Sequence, residues 1–191
     1  VAADGRAKVF LFTGPSGTGK TTLARILATR FCGGKATAAN IHEINGAMES
    51  GKEDMEKQVG SALFRSIGGS PNKVIIVDEC HRLSTAALNV LLKPTEEPPD
   101  HVYWMFCTTG GKIPPTILTR CLKYELKPVV EDDIFKLLQR VIEAEELEVG
   151  DDILEAIAEG SGGSPRQALV YLEQCQYSES VDEARAVMRS A

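Results

Sequence analysis

Near the start of the chain stand eight residues, Gly14-Pro15-Ser16-Gly17-Thr18-Gly19-Lys20-Thr21, whose types and spacing suit the holding of a polyphosphate. They match the pattern G-x-x-x-x-G-K-[ST] at every fixed position. Glycines at 14, 17 and 19 let the backbone wrap closely and turn its N–H groups inward. Those N–H groups, with the positive end of a following helix, receive phosphate oxygens. Lys20 brings a mobile charge for the outer phosphates, and the Thr21 hydroxyl can complete the shell of a Mg²⁺ ion. Thr22, next in the chain, completes the nucleotide-binding set. The competing explanation is a chance glycine-rich turn. Against it stand the strand-like run Val9-Phe10-Leu11-Phe12 before the motif and the helical spacing of Leu23, Ile26, Leu27 and Phe31 after it.

A phosphate loop needs an acidic strand end to hold the metal. Val74-Ile75-Ile76-Val77-Asp78-Glu79 is a continuous apolar run that closes on two carboxylates. Asp78 is placed as the metal ligand, and Glu79 as the base that orients and deprotonates water. Two solvated carboxylates at a strand end are the alternative. The next apolar run, Val102 to Thr109, closes on Thr108-Thr109. Ligands in such architectures bind beyond the carboxyl ends of the strands, so the Thr109 hydroxyl is in place to touch a γ-phosphate or the attacking water. An ordinary turn threonine is the other explanation. Arg166 follows Ser164-Pro165, an N-cap and a proline at the first helical position. A cation there opposes the helix dipole, and a bound nucleotide phosphate would repair the mismatch; a surface arginine is the alternative.

These residues need elements to carry them. Ile41-His42-Glu43-Ile44 reads as a short strand, and Gly51 to Ile67 as an amphipathic helix burying Met55, Val59, Leu63 and Phe64. Gly33-Gly34 and Gly68-Gly69-Ser70-Pro71-Asn72 are breaks. Ser84 caps a helix through Leu88, Leu91 and Leu92, which Pro94 is expected to kink or end early. Pro114-Pro115 opens a short segment ending at Arg120, and Tyr124 to Leu126 is the last strand. Strands alternating with helices predict an α/β three-layer sandwich around a parallel sheet. From Glu131 the period becomes purely helical: Ile134, Leu137, Leu138, Val141 and Ile142, then Ile153, Leu154 and Ile157, then Leu169, Leu172 and Cys175, with a short last helix. The division expected is 1–128 for nucleotide binding and 129–191 for a small all-α domain, joined near Pro128.

Composition limits the alternatives. The 191 residues are 43% hydrophobic and 25% charged, as in ordinary globular proteins, and no apolar run approaches the length of a membrane span. A net charge of −6 argues against a globally basic nucleic-acid binder. The five cysteines, Cys32, Cys80, Cys107, Cys121 and Cys175, form no C-x-x-C, so no zinc site is expected and reduced thiols of a cytoplasmic protein are. No signal peptide opens the chain, and the first strand begins so early that the start reads as trimmed.

Taken together, Gly14–Thr21, Asp78-Glu79-Cys80-His81, Leu91-Leu92-Lys93, Glu96-Glu97-Pro98-Pro99, Lys112-Ile113-Pro114-Pro115-Thr116-Ile117-Leu118, Thr119-Arg120-Cys121 and Gly163-Ser164-Pro165-Arg166 resemble the clamp-loader ATPases. The nearest match is the gamma/tau family of bacterial DNA polymerase III, with replication factor C as the eukaryotic relative. The resemblance covers nearly the whole chain. It implies a P-loop NTPase module of the AAA+ class with a parallel five-stranded sheet and a helical lid. It also implies ATP and Mg²⁺ as ligands, ATP hydrolysis, and no polymerising activity. Thr109 then resembles the sensor 1 position and Arg166 the sensor 2 position. Arg120 matches the arginine of the family's S-R-C motif, which reaches the nucleotide of a neighbouring subunit in trans; Thr119 replaces the serine. By its own spacing Arg120 is only a surface arginine. The partners implied are other loader subunits, a sliding clamp and primer–template DNA, with no membrane, in a bacterial or phage-infected cell.

The sequence departs from that family at several points. Pro94 falls inside a helix, the Gly110-Gly111 loop is short, and no cysteine zinc module lies between Phe31 and Ile41. The family's upstream base-holding segment and downstream collar are absent, so the chain reads as a compact phage or divergent homologue, or as a fragment. Rival functions are a helicase, since Asp78-Glu79-Cys80-His81 fits D-E-x-H, a small-molecule kinase, and a non-hydrolysing structural loader subunit. The helicase needs a second ATPase domain, and the intact Lys20, Thr21, Asp78 and Glu79 argue against a silent subunit.

Overall fold

A computed structural model describes residues 7–34, 37, 39–48, 51–64, 70–111 and 113–190. By its contacts the chain divides into two units, one holding the residues up to Gly14 and Lys20–Glu125, the other Pro15–Gly19 and the residues from Leu126 onward.

The first unit is built on five parallel strands, β1 (Val9–Thr13), β2 (Ile41–Asn45), β3 (Lys73–Asp78), β4 (Val102–Thr108) and β5 (Leu122–Glu125), in the order β2-β3-β4-β1-β5. The central strands are continuous apolar runs because both their faces are covered. On one face Leu11, Ile75, Val77, Trp104 and Phe106 pack with Met55 and Val59 of α2 (Lys52–Ala62), Ala87 and Leu91 of α3 (Thr85–Glu96), and Ile117 of α4 (Pro115–Leu118). On the other, Phe10 and Tyr103 pack against Phe31 at the end of α1 (Lys20–Phe31). That is the three-layer α/β sandwich expected. β1 lies between β4 and β5 although β2 follows it in sequence, so the chain changes direction at the carboxyl end of β1, where such sheets bind ligands.

Three local expectations are corrected. Pro94 does not end its helix: α3 runs on to Glu96. Past the proline the helical ladder resumes, Glu97 N–H donating to the Lys93 carbonyl (3.2 Å), and Leu91 and Thr95 on either side of it are buried. Phe64 does not join the buried face of α2. The helix stops at Ala62, and Phe64 is 75% exposed. The last strand begins at Leu122 rather than Tyr124, because it pairs with β1 from Phe10 onward. Ile67, Gly68-Gly69 and Lys112 lie outside the described residues.

In the second unit α5 (Glu131–Ala144), α6 (Asp151–Gly160), α7 (Pro165–Cys175) and α8 (Val181–Ser190) bury Ile134, Leu138, Ile153, Leu154, Ile157, Leu172 and Cys175. Ala168, not Leu169, completes the α7 face, because 168, 172 and 175 share one side of the helix while Leu169 stays 39% exposed. Acidic Glu131, Asp132 and Asp133 open α5, as the helix dipole favours.

Candidate nucleotide site

The segment Gly14–Thr21 joins β1 to α1, the strand–loop–helix arrangement a phosphate loop requires. The first turn of α1 carries no acidic residue, which leaves its positive end to an anion. Lys20 is 6% exposed, and its Nζ donates to the Gly14 carbonyl at 2.9 Å, so the ammonium is folded back over the loop. The Thr18 hydroxyl donates to the Pro15 carbonyl at 2.9 Å and holds the middle of the loop. Ser16 and Thr22 are exposed.

On the sheet unit the acidic strand end meets the start of α1. Thr21 Oγ1 donates to Asp78 Oδ2 at 2.7 Å, while Asp78 Oδ1 accepts from the Glu79 N–H at 2.9 Å. One hydroxyl and one carboxylate oxygen side by side are hard donors of the kind Mg²⁺ takes, so these residues fit that ion. Glu79 itself leaves the strand. Its φ of 49° and ψ of 38° are left-handed, an uncommon conformation for a side-chain-bearing residue and a costly one. Had β3 continued, Glu79 would point to the opposite face from Asp78; the turn re-aims it.

Beyond β4, Thr108 is 1% exposed and its hydroxyl is tied to both backbone groups of Gly110, donating to the carbonyl at 2.7 Å and accepting from the N–H at 3.1 Å. The short Gly110-Gly111 turn is therefore braced by Thr108, and the Thr109 side chain stays exposed. His81, on the 3₁₀ turn Cys80–Arg82, stands between these groups: Nδ1 is 3.1 Å from Thr108 Oγ1, Nε2 3.4 Å from Glu79 Oε2 and 3.5 Å from Thr109 Oγ1. Sequence reasoning gave this histidine no role beyond a pattern match. No spacing rule links residues 81 and 108; only the pairing of β3 with β4 brings them together.

Arg120 lies just beyond α4 and is paired with Glu96 of α3, Nη2 to Oε1 at 2.8 Å. That partner was not foreseen. Burial pushes the neighbouring thiols up: Cys80 to about 12, Cys121 to about 11, and Cys107 further, each chiefly through lost hydration.

In the second unit, Ser164 caps α7 by accepting from the Gln167 N–H at 3.3 Å, with Pro165 at the first helical position. Pro15–Gly19 packs against this helix start. Gly17 has φ +75°, and a Cβ there would lie 2.0 Å from Ser164 Oγ and 3.2 Å from Arg166 Cβ. Arg166 is exposed and, among the described residues, pairs with no carboxylate.

A phosphate-loop motif on a five-stranded parallel sheet of this order, with an acidic β3 end, defines a P-loop NTPase fold of the AAA+ class. Solved structures agree on that fold. The *Thermotoga maritima* RuvB Holliday junction branch migration motor superposes with a TM-score of 0.72 at 24% identity, covering 96% of this chain and 61% of that one. The *Aeropyrum pernix* ORC2 protein, in ADPNP–ADP complexes, gives 0.65 at 19% identity over 97% and 62%. A family model described as DNA polymerase III, delta subunit, matches residues 36–130. DNA polymerase III subunit tau of *Bacillus subtilis* is 33% identical over 184 residues, 86% of this chain and 32% of that protein. Subunit gamma of *Buchnera aphidicola* from *Acyrthosiphon pisum* is 36% identical over 183 residues, 86% of this chain and 50% of that protein. The chain is thus similar in sequence to DNA polymerase III gamma and tau subunits, and it spans about a third of the length of one of these relatives and half of the other.

Proposed function

We propose that this chain binds and hydrolyses ATP as part of a sliding-clamp loader subunit in DNA replication. The observation that carries the reading is the 2.7 Å contact between Thr21, at the end of the phosphate loop, and Asp78, at the end of the neighbouring acidic strand. Kinship with gamma/tau subunits supports the setting.

In this reading the loop N–H groups and Lys20 hold the β- and γ-phosphates, and Arg166 is a further nucleotide-binding residue. Thr21 and Asp78 hold Mg²⁺, which when bound neutralises charge building on the phosphate oxygens. Glu79 orients a water, takes its proton as the oxygen attacks the γ-phosphorus, and the bond to the β–γ bridging oxygen breaks to release ADP and phosphate. Thr109 orients the γ-phosphate or that water. Arg120 is exposed enough to serve a neighbouring subunit's site, with Glu96 steadying it. The partners proposed are further loader subunits, a sliding clamp and primer–template DNA.

The test is ATP turnover by the chain assembled with loader subunits, with and without clamp and primed DNA. Stimulation by both together is expected. Turnover indifferent to both would leave an ATPase with another task, and no turnover under any condition would overturn the hydrolytic reading.

A further inference from the structure

We infer that His81 is a positioning residue that fixes the Thr109 hydroxyl at the end of β4 beside the water-activating carboxylate and leaves that carboxylate open to water; this rests on the hydrolytic reading above. The argument begins with one proton. Thr108 has a single hydroxyl hydrogen and spends it on the Gly110 carbonyl, the shortest of its contacts at 2.7 Å. Toward His81 Nδ1, at 3.1 Å, the same oxygen therefore accepts. Nδ1 must carry the hydrogen, and in the neutral ring Nε2 is then a bare acceptor.

That tautomer decides what the ring offers the site. Nε2 accepts from the Thr109 hydroxyl at 3.5 Å and orients it. Toward Glu79 Oε2, at 3.4 Å, Nε2 has no hydrogen to give. The carboxylate keeps its lone pairs for water, where the opposite tautomer would occupy one of them. The ring is held from the other side as well. A Cβ at Gly111, whose φ is +101°, would come within 3.0 Å of His81 Cβ, so only glycine lets the turn lie this close. The preceding Cys80 is 1% exposed, and Arg82 N–H donates to the Glu79 carbonyl at 2.9 Å, which fixes the turn bearing the ring. Thr109, the ring and the Glu79 carboxylate are thereby held side by side, and the ring sets the direction of the Thr109 hydroxyl next to a carboxylate whose lone pairs stay open to water.

The two ring nitrogens are separately replaceable. Gln at position 81 can set its carbonyl near the place of Nε2; Asn reaches only the place of Nδ1. The experiment measures ATP-analogue affinity and single-turnover hydrolysis for the parent, His81→Gln and His81→Asn in the assembled loader, alongside ¹⁵N NMR of the His81 ring in the parent and in Thr108→Val. Affinity within about threefold of the parent is expected for both His81 variants. Turnover should fall on the order of a hundredfold in His81→Asn, with most of it retained in His81→Gln, since misplacing reacting groups costs about that much. The parent ring should show the Nδ1–H signature, and Thr108→Val should weaken it. An Nε2–H ring in the parent overturns the proposal, as do equal turnover in the two His81 variants or parental turnover in His81→Asn. A parent that binds or hydrolyses no ATP instead overturns the hydrolytic reading, while the ring spectrum still reports on the geometry.

Discussion

Replacing Gly17 by alanine puts a methyl group where the structure has none to spare. The residue sits at φ +75°, and an added Cβ would approach Ser164 Oγ to 2.0 Å. A left-handed alanine costs about 1–2 kcal/mol. Ser164 must also rotate away and release its cap on Gln167 N–H, worth about 1 kcal/mol. Together these give about 2–3 kcal/mol, or roughly 5–10 °C in Tm for a chain of this size. The second variant makes the reasoning specific. Ser164→Gly alone should cost only a few tenths of a kcal/mol, because glycine is a tolerable N-cap. In the double variant it removes the atom that clashes, so Gly17→Ala/Ser164→Gly should be about 1 kcal/mol more stable than Gly17→Ala. Thermal and urea unfolding of the four proteins form a double-mutant cycle. Parental stability in Gly17→Ala, or simple addition of the two costs, would refute the contact.

Other expectations follow from the same geometry. Glu79→Gln should retain ATP binding and lose turnover, since an amide accepts a hydrogen bond but cannot take water's proton; trapped ATP after a single-turnover mix is the readout. Arg120→Ala should bind ATP normally yet lose on the order of a thousandfold in rate within an assembled loader. Mixing it with Glu79→Gln should restore some hydrolysis if the arginine acts on a neighbour's site, and no rescue at any ratio would return Arg120 to a surface role paired with Glu96. Buried thiols make stability alkali-sensitive. Cys80 and Cys121 titrate near 12 and near 11 when folded, against 9.0 for an ordinary thiol. Above about pH 9 the unfolded chain therefore binds fewer protons than the folded one. Stability should be level below that pH and then fall as pH rises, by up to about 1.4 kcal/mol per pH unit for each thiol. Urea titrations at about pH 8 and about pH 10 check this, and Cys80→Ala should flatten the slope.

Much of this was legible in the sequence because it is carried by contiguous residues. Gly14–Thr21 is a motif in one stretch, the buried strands are unbroken apolar runs, and the α5 face repeats at helical spacing. Asp78 was readable because a strand end is a one-dimensional signal. What escaped depends on contacts between distant segments or on backbone angles. The left-handed turn at Glu79 has no glycine to announce it. His81 meets Thr108 across the pairing of β3 with β4, and Glu96 meets Arg120 from another helix. The early helix end expected at Pro94 is absent: a proline's missing hydrogen bond is visible in the sequence, whereas the burial of Leu91 and Thr95 that carries the helix past it is not. Phe64 misled because apolar spacing continues past the point where the helix stops.

The central claim, that the loop around Lys20 holds the triphosphate of ATP, is tested most directly by calorimetry with a non-hydrolysable ATP analogue and Mg²⁺ on the parent and on Lys20→Ala. Lys20 Nζ already lies over the loop, 2.9 Å from the Gly14 carbonyl, and removing it deletes the loop's side-chain cation. A hydrogen bond to a charged group is worth about 1.5–3 kcal/mol, so affinity should fall by roughly ten- to a hundredfold or more while circular dichroism shows the fold intact. Equal affinity in the two folded proteins, or no binding by the parent, would contradict the claim.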